Sequence, residues 1–325
     1  MDSNLFEKRT DLNGLCTAVD KIKQEIGKLV IGQDKMVNYL IAAVLSDGHV
    51  LIEGVPGVAK TLTAKLIAKT IAVGYSRIQF TPDLMPSDVL GTSVYNIKIS
   101  EFTFNKGPIF SNIVLIDEIN RAPAKTQSAL FEVMEERQVT MDGVTHTMSK
   151  PFIVLATQNP IDQEGTYRLP EAQLDRFLFK IEVDYPNHEE EYLIIKEFHS
   201  RNGINDLNKI NPVLSANDVE VYRNLVKAIH IDENLIKYIA HIVNNTRTNP
   251  SLYLGASPRA SLAILSASKA FAAMKGRDFV TPEDIQEAAY PVLGHRIMLT
   301  PEKEMEGIKT ENVVREIIKT IEVPR

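Results

Sequence analysis

Residues 49–61 read HVLIEGVPGVAKT and run directly into LTAKLIAKT at 62–70. The apolar run His49–Gly54, stopped by glycine, has the length and composition of a buried strand, and residues 60–71 carry a helical pattern. The loop between them matches G-x-x-x-x-G-K-[ST], except that Ala59 stands at the second glycine. In such a strand–loop–helix unit, successive main-chain N–H groups and the helix N-terminus converge on an anion, and Lys60 adds a point charge for outer phosphates. The Thr61 hydroxyl suits a magnesium ion. Gly54, Val55, Pro56, Gly57, Val58, Ala59, Lys60, Thr61 and Leu62 are therefore the candidate phosphate-binding stretch. Gly57 is free to take a left-handed or closely approached position, so Ala59 is expected to have a negative φ.

Working outward, helical spacing precedes the loop at 12–29 and 34–45, and further apolar strand signals follow at 75–80, 113–117, 152–157 and 179–183. Helical patterns at 60–71, 124–137 and 171–176 separate most of them. Buried strands alternating with helices predict an α/β fold with a parallel sheet covered on both faces. Residues 82–108 are irregular, with short alternating pieces at 94–99 and 101–104 that predict an inserted hairpin. A second hairpin at 138–148 turns on Asp142-Gly143. After Asp184-Tyr185-Pro186-Asn187 the strand signals stop, and helical patterns occupy 188–201, 215–229, 233–244, 258–274 and 282–293. Ser257-Pro258 and Thr281-Pro282 each place a hydroxyl N-cap before proline at the first helical position. We expect an α/β core over 1–186 and a smaller all-α domain over 187–325. The tail beyond Thr300 is expected to add a strand or a helix.

Ile113–Asp117 and Glu118 form four buried-type residues followed by two carboxylates at a strand's end. In open α/β sheets ligands gather outside the carboxyl ends of the strands, so this pair should neighbour the phosphate loop. Asp117 suits a magnesium contact, partly through water, and Glu118 suits polarising an attacking water. Asn159 ends the next strand and could orient that water or touch the γ-phosphate. Arg176 and Arg259 open or follow helical segments, and an arginine can neutralise charge on a transferring phosphoryl group. A surface ion pair is the bland reading of each.

Composition narrows the class. Thirty-six basic against 42 acidic residues leave a formal charge of −6, so no global basic field favours nucleic acid or anionic lipid. A single cysteine can form neither an intrachain disulfide nor a thiolate zinc cage. No apolar run reaches the ~20 residues needed to span a bilayer, and the charged N-terminus lacks a signal-peptide core. A cytoplasmic protein is expected. No Asn-Lys-x-Asp guanine reader is present, which favours an adenine nucleotide over guanine, and no H-E-x-x-H, G-x-S-x-G or G-x-G-x-x-G points to metalloprotease, hydrolase-elbow or dinucleotide chemistry.

Taken together, these strings resemble the MoxR family of AAA+ ATPases, from Ile31-Gly32-Gln33 to at least Arg259. Residues 54–61 resemble the family's phosphate loop, alanine included. Residues 117–123 (DEINRAP) resemble its Walker B segment, 169–177 (LPEAQLDRF) its arginine-finger segment, and 255–259 (GASPR) its sensor 2 stretch. The resemblance implies a P-loop AAA+ core with a helix-flanked parallel sheet, followed by an all-α lid domain. It implies ATP and Mg2+ as cofactors and places Ile31 and Gly32 against the nucleotide. Asn159 becomes sensor 1, Arg176 a finger reaching a neighbouring subunit's nucleotide, and Arg259 a nucleotide contact at a lid or subunit junction, in cis or in trans. Arg121 and Arg168 stay unassigned. The hairpins near 82–108 and 138–148 would face a ring pore or partners. A hexameric ring is implied, with a chaperone-like role on protein partners, von Willebrand factor A domain proteins among them.

Three other readings compete. A nucleic-acid motor would leave a basic footprint, yet residues 140–146 hold no lysine or arginine. A magnesium-chelatase-type ATPase subunit fits the fold but not the MoxR-type strings. A scaffold without turnover does not need Lys60, Asp117, Glu118 and Asn159.

Overall fold

A computed structural model describes residues 11–98, 100–159 and 167–324. Two helices, α1 (Asn13–Gly27) and α2 (Asp34–Leu45), lead into strand β1 (His49–Gly54), helix α3 (Lys60–Thr70) and strand β2 (Tyr75–Gln79). A short helix α4 (Pro86–Leu90) precedes the hairpin β3 (Gly91–Asn96) and β4 (Glu101–Lys106). Strand β5 (Ile113–Asp117), helix α5 (Ala124–Glu136), the hairpin β6 (Gln138–Met141) and β7 (Val144–Thr147), and strand β8 (Ile153–Gln158) follow. Helix α6 (Glu171–Leu174) and strand β9 (Phe177–Val183) complete the α/β part.

The five central strands are all parallel, in the order β2-β5-β8-β1-β9. The inner strands β5 and β8 are nearly continuously apolar because both of their faces are covered, whereas β2 at the edge carries Arg77 and Gln79. Period-2 alternation divides them cleanly. Val50, Ile52, Ile113, Leu115, Ile153 and Leu155 join the larger core beneath α1, α2 and α3. Leu51, Val114, Ile116, Val154 and Ala156 face the opposite core with Leu130, Phe131 and Met134 of α5. Each such buried aliphatic contributes roughly 1.5–3 kcal/mol.

The first hairpin starts earlier than its apolar pattern suggests, pairing Gly91 with Lys106. A Cβ on Gly91 would sit 2.2 Å from the Asn105 carbonyl oxygen, and one on Gly107 would sit 2.3 Å from that of Val89. Close main-chain packing rather than side-chain alternation therefore sets its base.

Beyond β9 the chain is mainly helical: α7 (His188–Ser200), α8 (Ala216–Lys227), α9 (Glu233–Thr248), α10 (Pro258–Met274) and α11 (Pro282–Leu293). The small strands β10 (Leu252–Leu254) and β11 (Met298–Leu299) pair antiparallel, and the tail supplies α12 (Pro301–Met305) and α13 (Thr310–Thr320). Buried Ala260, Ala267 and Ala270 let α10 approach its neighbours closely. Phe271 of α10 stacks on Phe179 of β9 at 6.2 Å and meets Tyr39 of α2 edge-on at 5.9 Å, so the helical part is fastened to the sheet. No described helix is long and apolar enough to cross a membrane.

The helical part holds one fully buried carboxylate, Asp284 in the first turn of α11. It accepts from both terminal nitrogens of Arg277 at 2.6 and 2.7 Å, from Lys275 at 3.0 Å and from the Thr281 N–H at 3.0 Å. Burial pushes its pKa up, but these donors outweigh burial and hold it below the ordinary value. Its contribution to stability is thus complete above the unfolded carboxyl's pKa of ~3.9 and is lost as pH falls through the lowered folded value. Asp284→Asn should lower the unfolding free energy at pH 7 by about 2–3 kcal/mol, less than a fully buried pair because Lys275 and Arg277 keep some solvent. Denaturant titration of both proteins at pH 7 and pH 3 checks this, with the difference between them shrinking at the lower pH.

Candidate functional site

The phosphate-type loop lies between β1 and α3, at the carboxyl end of the sheet. Gly54 is needed for packing, since a Cβ there would sit 2.7 Å from the Val183 carbonyl oxygen of β9. Gly57 has open space around it and a φ of 91°, so conformation demands its glycine. Ala59 overturns the expected negative φ: it sits at 60°, in the left-handed region. The reason is local. Ala59 is the N-cap of α3, and its carbonyl must already accept from the Thr63 N–H at 2.9 Å and the Thr63 hydroxyl at 3.0 Å. The left-handed turn reverses the chain within one residue, and alanine has the smallest side chain that bears the cost of ~1–2 kcal/mol.

Lys60 Nζ donates to the Gly54 carbonyl and closes the loop on itself. Burial pulls its pKa down, opposed by the carboxylates of Asp117, Glu118 and Glu53. Lysine and acidic pair thus share one electrostatic neighbourhood, as the strand order requires: β5 is separated from β1 only by β8. Asn159 directly follows β8 and so emerges between the phosphate loop and the acids.

Asp117 is buried and held on both oxygens. Oδ1 accepts from the Thr157 hydroxyl at 3.0 Å, and Oδ2 pairs with Arg77 Nε at 2.6 Å. Glu118 has a left-handed φ of 57°, and its N–H donates to the Thr157 hydroxyl at 3.1 Å. Its carboxylate accepts from Gln79 Nε2 at 2.8 Å and pairs with Arg121 Nε at 3.0 Å. Arg121, unassigned from sequence, is therefore a partner of Glu118 within the same chain. Arg168 stays exposed, 4.0 Å from Glu171. Arg77, Gln79 and Thr157 escaped the sequence reading. The signal was the spacing of Arg77 and Gln79 on one face of β2, with Gln79 in register with Asp117, but it needed β2 beside β5 to mean anything.

Ile31 and Gly32 precede α2, and Gly32, at φ 75°, lies against Glu190 of α7. A cleft of about 440 Å³ beside the loop is lined by Gly54, Val55, Asp184, Tyr185, Lys309 and Thr310.

Arg176 and Arg259 lie elsewhere. Arg176 immediately precedes β9, whose first residue is in register with His49 at the start of β1, whereas Gly54 at the loop is in register with Val183. Five residue steps of ~3.3 Å put the arginine roughly 17 Å from the loop along the sheet, at its opposite end. Arg176 Nη1 donates to the Phe131 carbonyl at 2.6 Å and pairs with Glu135 Oε2 at 2.8 Å. Arg259 Nη2 pairs with the other oxygen of Glu135 at 2.7 Å. The N-cap Ser257 donates to Asp175 at 2.9 Å, and buried Arg296 binds that aspartate at 2.7 Å, which fastens the start of α10 beside Arg176. Sequence spacing gave no hint of Glu135.

Since the αL strain at Ala59 is the loop's own, Ala59→Gly should change the unfolding free energy by less than ~1 kcal/mol and in the stabilising direction, glycine's greater unfolded entropy offsetting part of the relieved strain. Thermal unfolding and nucleotide titration check it, with affinity remaining within a few-fold of the parent.

Residues 49–179 match the model of the ATPase family associated with various cellular activities (AAA), and residues 244–317 match the AAA lid domain. Chaperone MoxR1 of Mycobacterium tuberculosis is 43% identical over 324 residues, covering 96% of this chain and 85% of that protein. YeaC of Bacillus subtilis is 47% identical over 304 residues, covering 94% of each. The fold superposes with a TM-score of 0.89 on the solved structure of a protein described as an ATPase from Cytophaga hutchinsonii, at 43% identity and with 96% and 97% of the two chains covered. With the phosphate loop, the adjoining acids and the helical lid in place, the chain belongs to the MoxR family of AAA+ ATPases.

Proposed function

We propose that this ATPase works as a ring of identical copies in the cytoplasm, hydrolysing Mg-ATP to remodel or assemble protein partners. One observation carries the reading: the groups to which we assign ATP binding and cleavage lie at opposite ends of one sheet. The loop, Asp117, Glu118 and Asn159 occupy the carboxyl end, and Arg176 and Arg259 the amino end. No rotamer change spans that separation, so the arginines meet a nucleotide only when a second copy brings its loop to them.

Within a copy, main-chain N–H groups of the loop and Lys60 take the phosphates. The donor set fits magnesium, which keeps waters and accepts few protein oxygens: the Thr61 hydroxyl and the Asp117 carboxylate, the latter already oriented by Thr157. The ion would neutralise charge on the phosphate oxygens. Glu118, held at the edge of the site by Gln79 and Arg121, takes the proton of the attacking water, and Asn159 orients that water. Arg176 and Arg259 stabilise the transferring phosphoryl group of a neighbour. The chaperone-like role rests on the name of the relative that is 43% identical, and the exposed Tyr95–Phe102 pair on the first hairpin offers an aromatic, uncharged contact suited to a polypeptide.

Three variants test this. Lys60→Ala should weaken nucleotide binding by roughly 10–100-fold, the worth of a charge-assisted hydrogen bond. Glu118→Gln should bind ATP near the parent affinity while kcat falls by about 10²–10⁴. Arg176→Ala should bind ATP normally yet lower the activity of parent copies in mixed rings by more than its mole fraction. Phosphate release strictly proportional to the fraction of parent protein would refute the shared site.

A further inference from the structure

The two amino-end arginines are not independent. Glu135 stands in the last turn of α5, where a negative charge opposes the helix dipole and weakens the helix on its own account. Yet both of its oxygens are engaged, Oε2 with Arg176 at 2.8 Å and Oε1 with Arg259 at 2.7 Å. Each arginine commits one terminal nitrogen to Glu135, Nη1 in Arg176 and Nη2 in Arg259. Arg176 Nε meets no acceptor among the described residues, so the Phe131 carbonyl and Glu135 alone set its pose. These groups border an open cleft of about 270 Å³ whose lining also includes Asp47, His49 and Asp175.

We propose that Glu135 is a positioning residue that couples Arg176 and Arg259, presenting them to a neighbouring copy's nucleotide as one unit. The inference rests on the shared-site reading above. Two guanidinium groups brought to one place repel each other, and a carboxylate between them removes that repulsion. Long side chains fixed before the encounter also lose less rotamer freedom when the phosphates arrive. Glu135 comes from α5, Arg176 from the residue before β9 and Arg259 from α10, so three separate segments meet at this carboxylate. The fit is specific to a carboxylate, because a glutamine offers one accepting oxygen and turns an N–H2 toward the second arginine.

The test is steady-state ATP hydrolysis by the full chain, with ring assembly followed by sedimentation velocity. Glu135→Ala should lower kcat at least about tenfold with KM within twofold, because the nucleotide is held by another copy's loop, and assembly should be unchanged. Glu135→Gln, which keeps size and one acceptor, should fall between parent and Glu135→Ala. In the Glu135→Ala background, adding Arg176→Ala should cost far less than the roughly 10³-fold it costs in the parent. A Glu135→Ala protein with parental kcat, or one whose loss multiplies independently with that of Arg176→Ala, overturns the coupling. So does a loss that tracks ring dissociation, which marks a merely structural residue. If Arg176→Ala itself hydrolyses ATP at the parental rate, the shared site falls and the coupling with it. Inactive Arg176→Ala beside fully active Glu135→Ala removes only the coupling.

Discussion

A buried carboxylate must be paired, and the pairing of Asp117 organises the site. The aspartate ends the inner strand β5, where solvent is excluded by β2 and β8 on either side. Thr157 from β8 and Arg77 from β2 each take one of its oxygens, so the two neighbouring strands are locked in register at the carboxyl end. The same threonine also receives the Glu118 N–H, which fixes the left-handed turn that carries Glu118 out of the sheet. The position of Asp117 and the direction of Glu118 thus depend on one hydroxyl.

The two ends of the sheet carry different chemistry for a topological reason. In parallel strands all carboxyl ends lie together, so the loop after β1, the acids after β5 and Asn159 after β8 converge without any long-range search. Arg176 precedes its strand and is therefore delivered to the other end. Helix α5 starts close behind Glu118 and, at ~1.5 Å per residue, its 13 residues run about 20 Å to deliver Glu135 there as well. The loop and acids therefore stand at one end of the sheet, and the arginines with their shared carboxylate at the other.

Much of this was legible in the amino-acid order. The strand–loop–helix at 49–70, the acids closing 113–118 and the hairpin at 138–148 are local patterns in which side-chain period and turn residues act over a few positions. Whether the tail beyond Thr300 adds a strand or a helix was open, and it resolves into the helices α12 and α13. Ala59 was misread because its φ follows from the demand that the chain reverse and its carbonyl cap α3 in one step, whereas the presence of Gly57 suggested an easier place for the strain.

What the sequence alone determined is the fold class and the identity of the groups at the loop and acidic pair, because periodicity, glycine placement and charge are properties of contiguous residues. Tertiary structure decided which polar groups share those acids and which carboxylate the arginines share. Arg77 lies 40 positions from Asp117, and Arg259 lies 124 from Glu135. Such partners are chosen by strand order and by the docking of α10 through Asp175, Ser257 and Arg296, and a pairing set by packing between distant segments leaves no local mark in the chain.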